Sequence, residues 1–307
     1  MMELGTLTMN PTIDLSFEVD RVFDTHKNRG RNERHDPGGG GINVARVFVR
    51  LGGNARCYYL SGGPTGVALD GLMDLHQLVR SRIRIDGETR ISTSIFERST
   101  EREFRFVTSG PEIAAGEWQA CLDRLSEAYC GYLVASGSLP PGVPHDFYAR
   151  VAKIAKQRDI RLVLDSSGAG LAHGLAGGDV FLVKPSIGEL RELSGQTLDS
   201  DDAIASAARA IIARREAEHV AVTMGQAGAM LVNATSVLRL PALPVRAVSS
   251  VGAGDSFLAG MVHALAGGSE IAEAFRLGIA AGAAATLTPG TDLARAEDIF
   301  RLMPTRS

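Results

Sequence analysis

The sequence predicts an α/β protein with a mostly parallel central sheet that is flanked by helices on both faces. Short apolar runs, each bounded by turn residues, alternate with helix-length amphipathic stretches. This alternation is typical of parallel sheets, because each helix returns the chain to the edge from which the next strand starts. With 307 residues, of which 45% are apolar, the chain is long enough to bury a large core.

The predicted strands are the apolar runs at residues 4–9, 55–60, 132–135, 162–165, 180–183 and 220–224. The predicted helices are the amphipathic stretches at residues 43–51, 66–78, 117–128, 145–157, 187–193 and 201–216. Functional loops in such a fold gather at the carboxyl ends of the strands. Polar or glycine residues stand at the carboxyl ends of several predicted strands, namely Asn10, Gly62, Gly137, Asp165, Lys184 and Gly225.

Two stretches, at residues 14–35 and 90–107, interrupt this rhythm. Apolar residues alternate with polar ones there, as at Ile91, Thr93 and Ile95, and no helix intervenes. They are predicted to form small antiparallel strands outside the main sheet, as a lid on a single domain of residues 1–307. A pair of surface hairpins is the alternative interpretation.

Composition excludes several classes of function. The formal net charge is −3 and the pI is about 6.2, so no basic field indicates nucleic acid or an anionic membrane as a partner. We expect a cytoplasmic protein, because no apolar run reaches the roughly 20 residues of a membrane span and the start lacks a signal-peptide pattern. Cys57, Cys121 and Cys130 lack metal-site spacing and are expected to be buried, reduced thiols.

A glycine-rich turn at residues 251–257 has the features of a phosphoryl-transfer site. Gly252, Ala253 and Gly254 precede Asp255 where a helix is predicted to begin. Backbone amides and the positive end of a helix dipole bind anions there, and a neighbouring carboxylate can take a proton from an attacking hydroxyl. A plain glycine turn that leads into an acidic helix residue is the alternative.

A second glycine run, at residues 37–45, stands before another predicted helix. Glycines such as Gly39 let a ligand approach the backbone, and Asn43 offers both a donor and an acceptor to hydroxyl groups. The alternative is a flexible linker. Asp14 can accept sugar hydroxyls or simply form an Asx turn after Pro11.

Four motifs together resemble the PfkB (ribokinase-like) family of carbohydrate kinases over essentially the whole chain. They are PGGGGINVAR (37–46), SGSLPPGV (136–143), VKPSIGEL (183–190) and VGAGDSF (251–257). Within the family, the chain is most similar to the PfkB-type 6-phosphofructokinases, on the strength of TLTMNPTID (6–14), DSSG (165–168) and AAGAAATLTPGT (280–291). A lysine that is common in the glycine run of the 1-phosphofructokinases and tagatose-6-phosphate kinases is absent here.

The resemblance implies a role for each matching residue. Asp255 would be the base that deprotonates the sugar hydroxyl, with Gly252, Ala253 and Gly254 as the anion hole. The residues that would hold the sugar are Asp14, Gly39, Asn43 and Ser138, and those that would hold its existing phosphate are Lys27, Arg90 and Arg105. The region for ATP and Mg²⁺ would comprise Lys184, Ser186, Glu189, Thr223, Gly225 and Gly228.

The chain departs from the family pattern at two places. Ser186 stands where an asparagine is common, so contacts to the nucleotide would run through an added water. Thr288 and Asp292 lie where the family binds a monovalent cation and carries other polar residues. Potassium is therefore a possible cofactor, and its requirement is left open.

The resemblance implies an ATP-dependent phosphosugar kinase, with fructose 6-phosphate as the favoured substrate. Fructose 1-phosphate, tagatose 6-phosphate and an unphosphorylated sugar or nucleoside are the alternative substrates. A sugar-phosphate sensor with little turnover is the alternative of a different class. A homodimer that packs through the lid is also expected, because the apolar alternation at Leu15, Phe17 and Val19 needs a covering surface.

Overall fold

A computed structural model describes residues 2–303 of the chain, in which the strands form two sheets. Within this range the larger sheet has nine strands. In spatial order they are β13 (Val237–Leu240), β12 (Ala229–Val232), β11 (Ala217–Thr223), β10 (Val180–Val183), β9 (Arg161–Asp165), β8 (Cys130–Ser136), β1 (Met2–Thr8), β4 (Ala55–Ser61) and β5 (Val79–Arg84).

The larger sheet is mostly parallel, as predicted. Every neighbouring pair from β5 to β11 is parallel, and β12 and β13 add an antiparallel hairpin at the edge beyond β11. All six predicted strands are present, with ends that differ by up to three residues. Strand β5 was not predicted, because its sequence VRSRIR carries an arginine at every second position of an edge strand.

Ten α-helices occur in the described part of the chain. They are α1 (Gly40–Arg50), α2 (Gly63–Leu75), α3 (Ala115–Ser126), α4 (Phe147–Gln157), α5 (Gly168–Ala176), α6 (Ile187–Ser194), α7 (Asp201–Ala213), α8 (Ala253–Ala266), α9 (Ile271–Ala285) and α10 (Ala296–Leu302). Buried residues of α3 to α7 form one core cluster with the sheet, and those of α1, α2 and α8 to α10 form another. Helices therefore cover both faces, as predicted. No helix in residues 2–303 is long and apolar enough to cross a membrane.

Helix α1 begins inside the glycine run, three residues before the predicted start. A β-carbon on Gly40 would lie 2.1 Å from Ser136 Oγ, and one on Gly41 would lie 2.6 Å from the Leu7 carbonyl oxygen. These glycines let the first turn of α1 lie directly against β1 and β8. The run is thus partly a helix, and the linker interpretation is wrong.

The two stretches predicted to lie outside the main sheet do form a small sheet. Its order is β3 (Arg31–Gly38), β2 (Thr12–Val19), β6 (Arg90–Glu97) and β7 (Arg102–Phe106). The outer pairs are antiparallel, as predicted, whereas β2 and β6 pair in parallel. The prediction of purely antiparallel strands is wrong on this pair, because the chain crosses to the large sheet between β3 and β6 and returns in the direction of β2.

The small sheet has one polar and one apolar face. Side chains alternate along a strand, and residues in register share a face. On one face the register places Asp14 beside Ser92, and Ser94 beside Arg105. On the other face it places Leu15, Thr93 and Phe106 together, and Phe17, Ile95 and Phe104 together. The polar face turns toward the carboxyl end of the large sheet, where it closes a cleft.

Candidate active site

The cleft has a volume of about 280 Å³ and lies between the two sheets. The small sheet contributes residues of its polar face, and the large sheet contributes the loops that follow its strands. Nine residues that the sequence predicted as site residues line this cleft: Asp14, Gly39, Asn43, Arg90, Arg105, Ser138, Glu189, Gly252 and Asp255.

The amino terminus of α8 faces the cleft and is built to accept an anion. Gly252 is the residue before the helix and has a positive φ of 69°, and a β-carbon there would lie 2.1 Å from Leu293 Cδ2. No side chain of the described residues caps the helix. The Ala253 amide makes one long contact, of 3.4 Å, to the Ser250 carbonyl oxygen. The other amides of the first turn and the positive end of the dipole are presented to a ligand.

Asp255 lies in the first turn of α8, at the cleft. The Asn43 side chain on α1 donates a hydrogen bond from Nδ2 to Asp255 Oδ2 over 2.9 Å. Burial, and then the nearby Asp165 carboxylate, raise the pKa of Asp255 to about 6. The Asn43 hydrogen bond and Lys184 act in the opposite direction. A carboxylate with this pKa is ionised at neutral pH and suited to accept a proton.

Lys184 brings a buried positive charge to the same turn. Its Nζ lies 3.0 Å from Asp165 Oδ1, and a β-carbon on Gly254 would lie 3.4 Å from that Nζ. Burial alone would lower the pKa of Lys184, but the Asp165 carboxylate outweighs it and the pKa is raised. Ser136 donates to the other oxygen of Asp165 over 3.2 Å. The ammonium group is thus held beside the anion-binding turn in its charged form.

The polar face of the small sheet supplies an acid and two cations to the cleft. Burial raises the pKa of Asp14 to about 6, against the lowering effects of Arg46 and Arg105. Arg90 is anchored, since its guanidinium donates to the carbonyl oxygens of Thr108 (2.7 Å) and Asn10 (2.8 Å). Arg105 is exposed and lines the cleft across from the large sheet. This side of the cleft is positively charged and open to an anionic ligand.

The residues predicted to bind the nucleotide extend from the cleft along the edge of the large sheet. Ser186 and Glu189 form a capping box on α6: the Ser186 amide donates to Glu189 Oε2 (2.7 Å) and the Glu189 amide donates to Ser186 Oγ (3.2 Å). Ser186 forms an isolated parallel β-bridge with Thr223, the last residue of β11, so the predicted nucleotide residues continue along the carboxyl edge of the sheet. Gly228 is required there by the fold, because its φ is 95° and a β-carbon would lie 2.2 Å from the Leu240 carbonyl oxygen.

Several predicted residues do not line the cleft. Ala253 and Gly254 belong to the same helical turn as Asp255, and Gly225 lies in a short 3₁₀ turn (Gly225–Ala227) after β11. Lys27 is exposed in the segment between β2 and β3. The grouping of Lys27 with Arg90 and Arg105 is therefore not seen within this chain.

The residues predicted at the cation loop have protein partners. The Asp292 carboxylate pairs with Arg34 (3.4 Å), Arg50 (3.5 Å) and Arg295 (2.8 Å). Burial acts to raise the pKa of Asp292, but these guanidinium groups outweigh it and the pKa is lowered. Thr288 donates to the Ala285 carbonyl oxygen over 2.9 Å. Because the Asp292 carboxylate is paired with three arginines, it is not available as a ligand for a monovalent cation.

Asp165 is the main site residue to which the sequence analysis assigned no role. It lines the cleft, pairs with Lys184 and raises the pKa of Asp255. The available signal was its position, since it is the last residue of a predicted strand, at the carboxyl edge of the sheet, and begins the DSSG motif. Its pairing with Lys184 depends on the neighbouring positions of β9 and β10 in the sheet.

Comparison with known proteins agrees with this geometry. Residues 7–298 match the pfkB family of carbohydrate kinases. The chain is 43% identical over 298 residues to ATP-dependent 6-phosphofructokinase isozyme 2 of Mycobacterium tuberculosis, which covers 96% of this chain and 87% of that protein. It is 31% identical over 300 residues to 1-phosphofructokinase of Bacillus subtilis, at 97% of each chain.

The fold is shared with a solved structure as well. The crystal structure of phosphofructokinase-2 from Escherichia coli in complex with potassium superposes with a TM-score of 0.94 and 34% identity, over 99% of this chain and 98% of that one. The family match spans nearly the whole chain. The chain belongs to the pfkB family of carbohydrate kinases.

Proposed function

We propose that the protein transfers the γ-phosphoryl group of ATP to the 1-hydroxyl of fructose 6-phosphate and so forms fructose 1,6-bisphosphate and ADP. One observation carries the proposal: Asp255 stands at an uncapped helix amino terminus that faces the cationic polar face of the small sheet. A site for phosphoryl transfer and a site for an anionic acceptor thus share one cleft. The 43% identity to a protein named 6-phosphofructokinase supports the choice of sugar.

In the proposed reaction, Asp255 accepts the proton of the sugar hydroxyl as its oxygen attacks the γ-phosphorus. The bond from that phosphorus to the bridging oxygen breaks, and ADP leaves with the electron pair. The amides of residues 252–254 and the Lys184 ammonium offset the charge on the phosphoryl oxygens. General-base catalysis of this kind contributes on the order of 10² to 10⁴ in rate.

The acceptor is held from the side of the small sheet. We assign the sugar hydroxyls to Asp14, Gly39, Asn43 and Ser138, which line the cleft. Arg90 and Arg105 bind the existing phosphate, because a guanidinium matches the geometry of phosphate oxygens. Lys27 would join them only if the exposed segment between β2 and β3 approaches the cleft of the same or a second chain.

The residues of the nucleotide side fit a Mg²⁺–ATP complex. Mg²⁺ keeps several waters and needs one or two carboxylates besides the phosphates, and Glu189 lines the cleft beside Lys184. Glu189 would hold the ion, and Ser186, Thr223, Gly225 and Gly228 the nucleotide. When bound, the ion supplies positive charge to the phosphate oxygens. Potassium stays an expectation from the resemblance, and Asp292 would not be its ligand, because this carboxylate is paired with arginines.

We further propose a cytoplasmic homodimer that packs through the apolar face of the small sheet. Phe106 and Ile91 on that face are 59% and 43% exposed, and Phe23 in the adjoining segment is 49% exposed. A second copy of the face would cover them. Sedimentation should show a dimer at micromolar concentration, and a fully active monomer would contradict this. Cys57, Cys121 and Cys130 are buried and free, which supports a reducing location.

The test of the function is a coupled assay of ADP release by the purified protein. Fructose 6-phosphate, fructose 1-phosphate, tagatose 6-phosphate and fructose are each varied at saturating Mg²⁺–ATP. We expect the highest kcat/KM for fructose 6-phosphate. Fructose should be worse by about 100-fold, because a charge-assisted contact contributes about 1.5 to 3 kcal/mol.

Two outcomes would replace the proposal. A preference for fructose 1-phosphate would favour the second candidate, a 1-phosphofructokinase, which the relative of that name in Bacillus subtilis supports. Binding of a sugar phosphate by calorimetry without ADP release would favour the sensor.

A further inference from the structure

A buried arginine, Arg46, lies behind the proposed base. It is 1% exposed and sits on α1, one turn after Asn43. Its guanidinium donates to Asp36 Oδ1 over 2.8 Å, to the Pro37 carbonyl oxygen over 3.1 Å and to Asn43 Oδ1 over 3.4 Å. None of the catalytic roles assigned above uses this residue.

The contact to Asn43 selects one orientation of its amide. A guanidinium only donates hydrogen bonds, so the amide must turn its oxygen toward Arg46. Its nitrogen then faces Asp255, to which it donates over 2.9 Å. The opposite orientation would place the amide oxygen against the Asp255 carboxylate and the amide nitrogen against the guanidinium, and both contacts would be repulsive.

Arg46 is itself held rigidly. Asp36, which is 3% exposed, accepts from Arg46 on one oxygen and from Thr291 on the other over 2.7 Å. Arg34 and His76 also face this carboxylate, at 3.5 and 3.6 Å. Burial lowers the pKa of Arg46 to about 10, although Asp36 opposes this. A buried ion pair is a costly way to stabilise a fold, so its place next to the site suggests a second role.

We propose that Arg46, clamped by Asp36, is a positioning residue that fixes the Asn43 amide so that its nitrogen holds and orients the Asp255 carboxylate for proton transfer. The inference rests on the proposed function of Asp255 as the base. It adds a residue that does not line the cleft and that acts on Asp255 through Asn43. The charge of Arg46 also lowers the pKa of Asp14, and a lysine at this position keeps that charge.

The test is Arg46→Lys, alone and combined with Asn43→Ala. Lysine keeps the charge that Asp36 requires but cannot make the three forked contacts of the guanidinium. Asn43 should then lose its fixed orientation. We expect kcat to fall about threefold to tenfold, the effect of one hydrogen bond, with little change in the KM for Mg²⁺–ATP.

A second measurement is independent of turnover. The pKa of Asp255, followed by carboxyl ¹³C NMR, should rise in Arg46→Lys because the donated hydrogen bond lowers it in the wild type. The other charges that face Asp255, namely Asp165, Lys184 and Arg105, are unchanged in this variant. The pKa of Asp14 is also raised to about 6, so the Asp255 signal must be assigned with Asp255→Asn as a reference.

Double-mutant analysis separates positioning from a structural role. If Arg46 acts through Asn43, then Arg46→Lys in the Asn43→Ala background should change kcat less than about twofold. Arg82→Lys is the matched control: Arg82 is an arginine that is likewise paired with an aspartate, Asp70 at 2.8 Å, but it is only partly buried and lies outside the cleft. It should leave kcat and the pKa of Asp255 unchanged.

The outcomes are distinct. Equal losses of kcat with and without Asn43, or an unchanged pKa of Asp255, would overturn the proposal. If the wild-type protein phosphorylates no sugar but the pKa shift appears, the proposed function fails and the orienting contact stands. If Arg46→Lys does not fold, the charge-neutral pair Asp36→Asn with Arg46→Gln leaves no unpaired buried charge and serves the same measurements.

Discussion

The Asn43 amide on α1 donates a hydrogen bond to the Asp255 carboxylate on α8, and so joins residues that are 212 positions apart. The contact brings the glycine run of the first third of the chain to the glycine turn of the last third. The two motifs therefore line one cleft, in which the group that we propose as the base is held by a residue that we also assign to the sugar.

Asp255→Asn should fold and lose turnover. The amide is nearly isosteric but cannot accept the proton, so kcat should fall by about 10² to 10⁴. Stopped assays over several hours would measure the residual activity of this variant. Asp298→Asn, which removes a carboxylate that pairs with Arg301 on α10, should keep full activity. A kcat above about a tenth of the wild-type value in Asp255→Asn would show that another group is the base.

The pH dependence of kcat/KM should have an acidic limb near pH 6. Burial raises the pKa of Asp255 and of Asp14 to about 6, and the base must be ionised. Below that pH, kcat/KM should fall at least about tenfold per pH unit, and more steeply where both groups must be ionised. A rate that is flat down to pH 5 would contradict the assignment.

The same pKa shift predicts how the stability of Asp255→Asn depends on pH. The folded-state pKa of Asp255 lies above its ordinary value of 3.8, so ionisation destabilises the wild type above pH 6. The variant should therefore have a Tm about 1 to 3 °C higher at pH 8. This advantage should vanish as the pH falls to 4, where the wild-type carboxyl is neutral when folded. Calorimetric scans at both pH values would show a constant difference if Asp255 were unshifted.

Gly252 and Gly254 should respond differently to alanine. Gly252→Ala places a β-carbon at positive φ and against Leu293, so it should lower the stability by about 1 to 3 kcal/mol. At Gly254 there is room in a helical turn, and alanine should leave the Tm unchanged or higher. Its methyl group would stand beside Lys184 Nζ where the phosphoryl group binds, so kcat should fall about tenfold or more. Equal losses of stability in the two variants would contradict this distinction.

Arg105→Ala should weaken binding of the phosphosugar. Loss of a charge-assisted contact of about 1.5 to 3 kcal/mol should raise the KM for fructose 6-phosphate about 10- to 100-fold. The weak rate with unphosphorylated fructose should not change. Arg98→Ala is the matched control, because Arg98 is exposed at the turn between β6 and β7 and does not line the cleft. Equal effects on fructose and fructose 6-phosphate would place the phosphate elsewhere.

Ser186→Asn should lower the KM for Mg²⁺–ATP without changing the stability of the protein. Asparagine caps a helix as well as serine does, so α6 should keep its amino terminus. One added hydrogen bond of about 0.5 to 1.5 kcal/mol should lower the KM for Mg²⁺–ATP severalfold. Ser200→Asn makes the same change at the cap of α7, where Ser200 Oγ accepts from the Ala203 amide, and should leave this KM unaltered. An unchanged KM in Ser186→Asn would place Ser186 outside the nucleotide site.

Local requirements made much of the fold and the site predictable. Apolar runs of strand length between amphipathic stretches predicted the parallel sheet, and a glycine turn before an acidic residue predicted a helix start near Asp255, where α8 begins two residues earlier, at Ala253. These features can be predicted from sequence because the local backbone conformation and the burial of each element restrict which residue types can stand there. Gly252 needs a positive φ, and a buried parallel strand needs a continuous apolar run.

The tertiary structure alone decided which distant side chains meet. Lys184 pairs with Asp165 because β9 and β10 are neighbours in the large sheet, and Arg46 reaches Asp36 because α1 lies against β3. The parallel pairing of β2 with β6, which sets the polar face of the small sheet over the cleft, was likewise not predictable. Such contacts depend on strand order and register. The same local pattern of apolar and polar residues is compatible with several strand orders and registers, so it does not decide them. The sequence by itself therefore determined most of the elements, the family and the position of Asp255, whereas the charges that tune this carboxylate were set by topology.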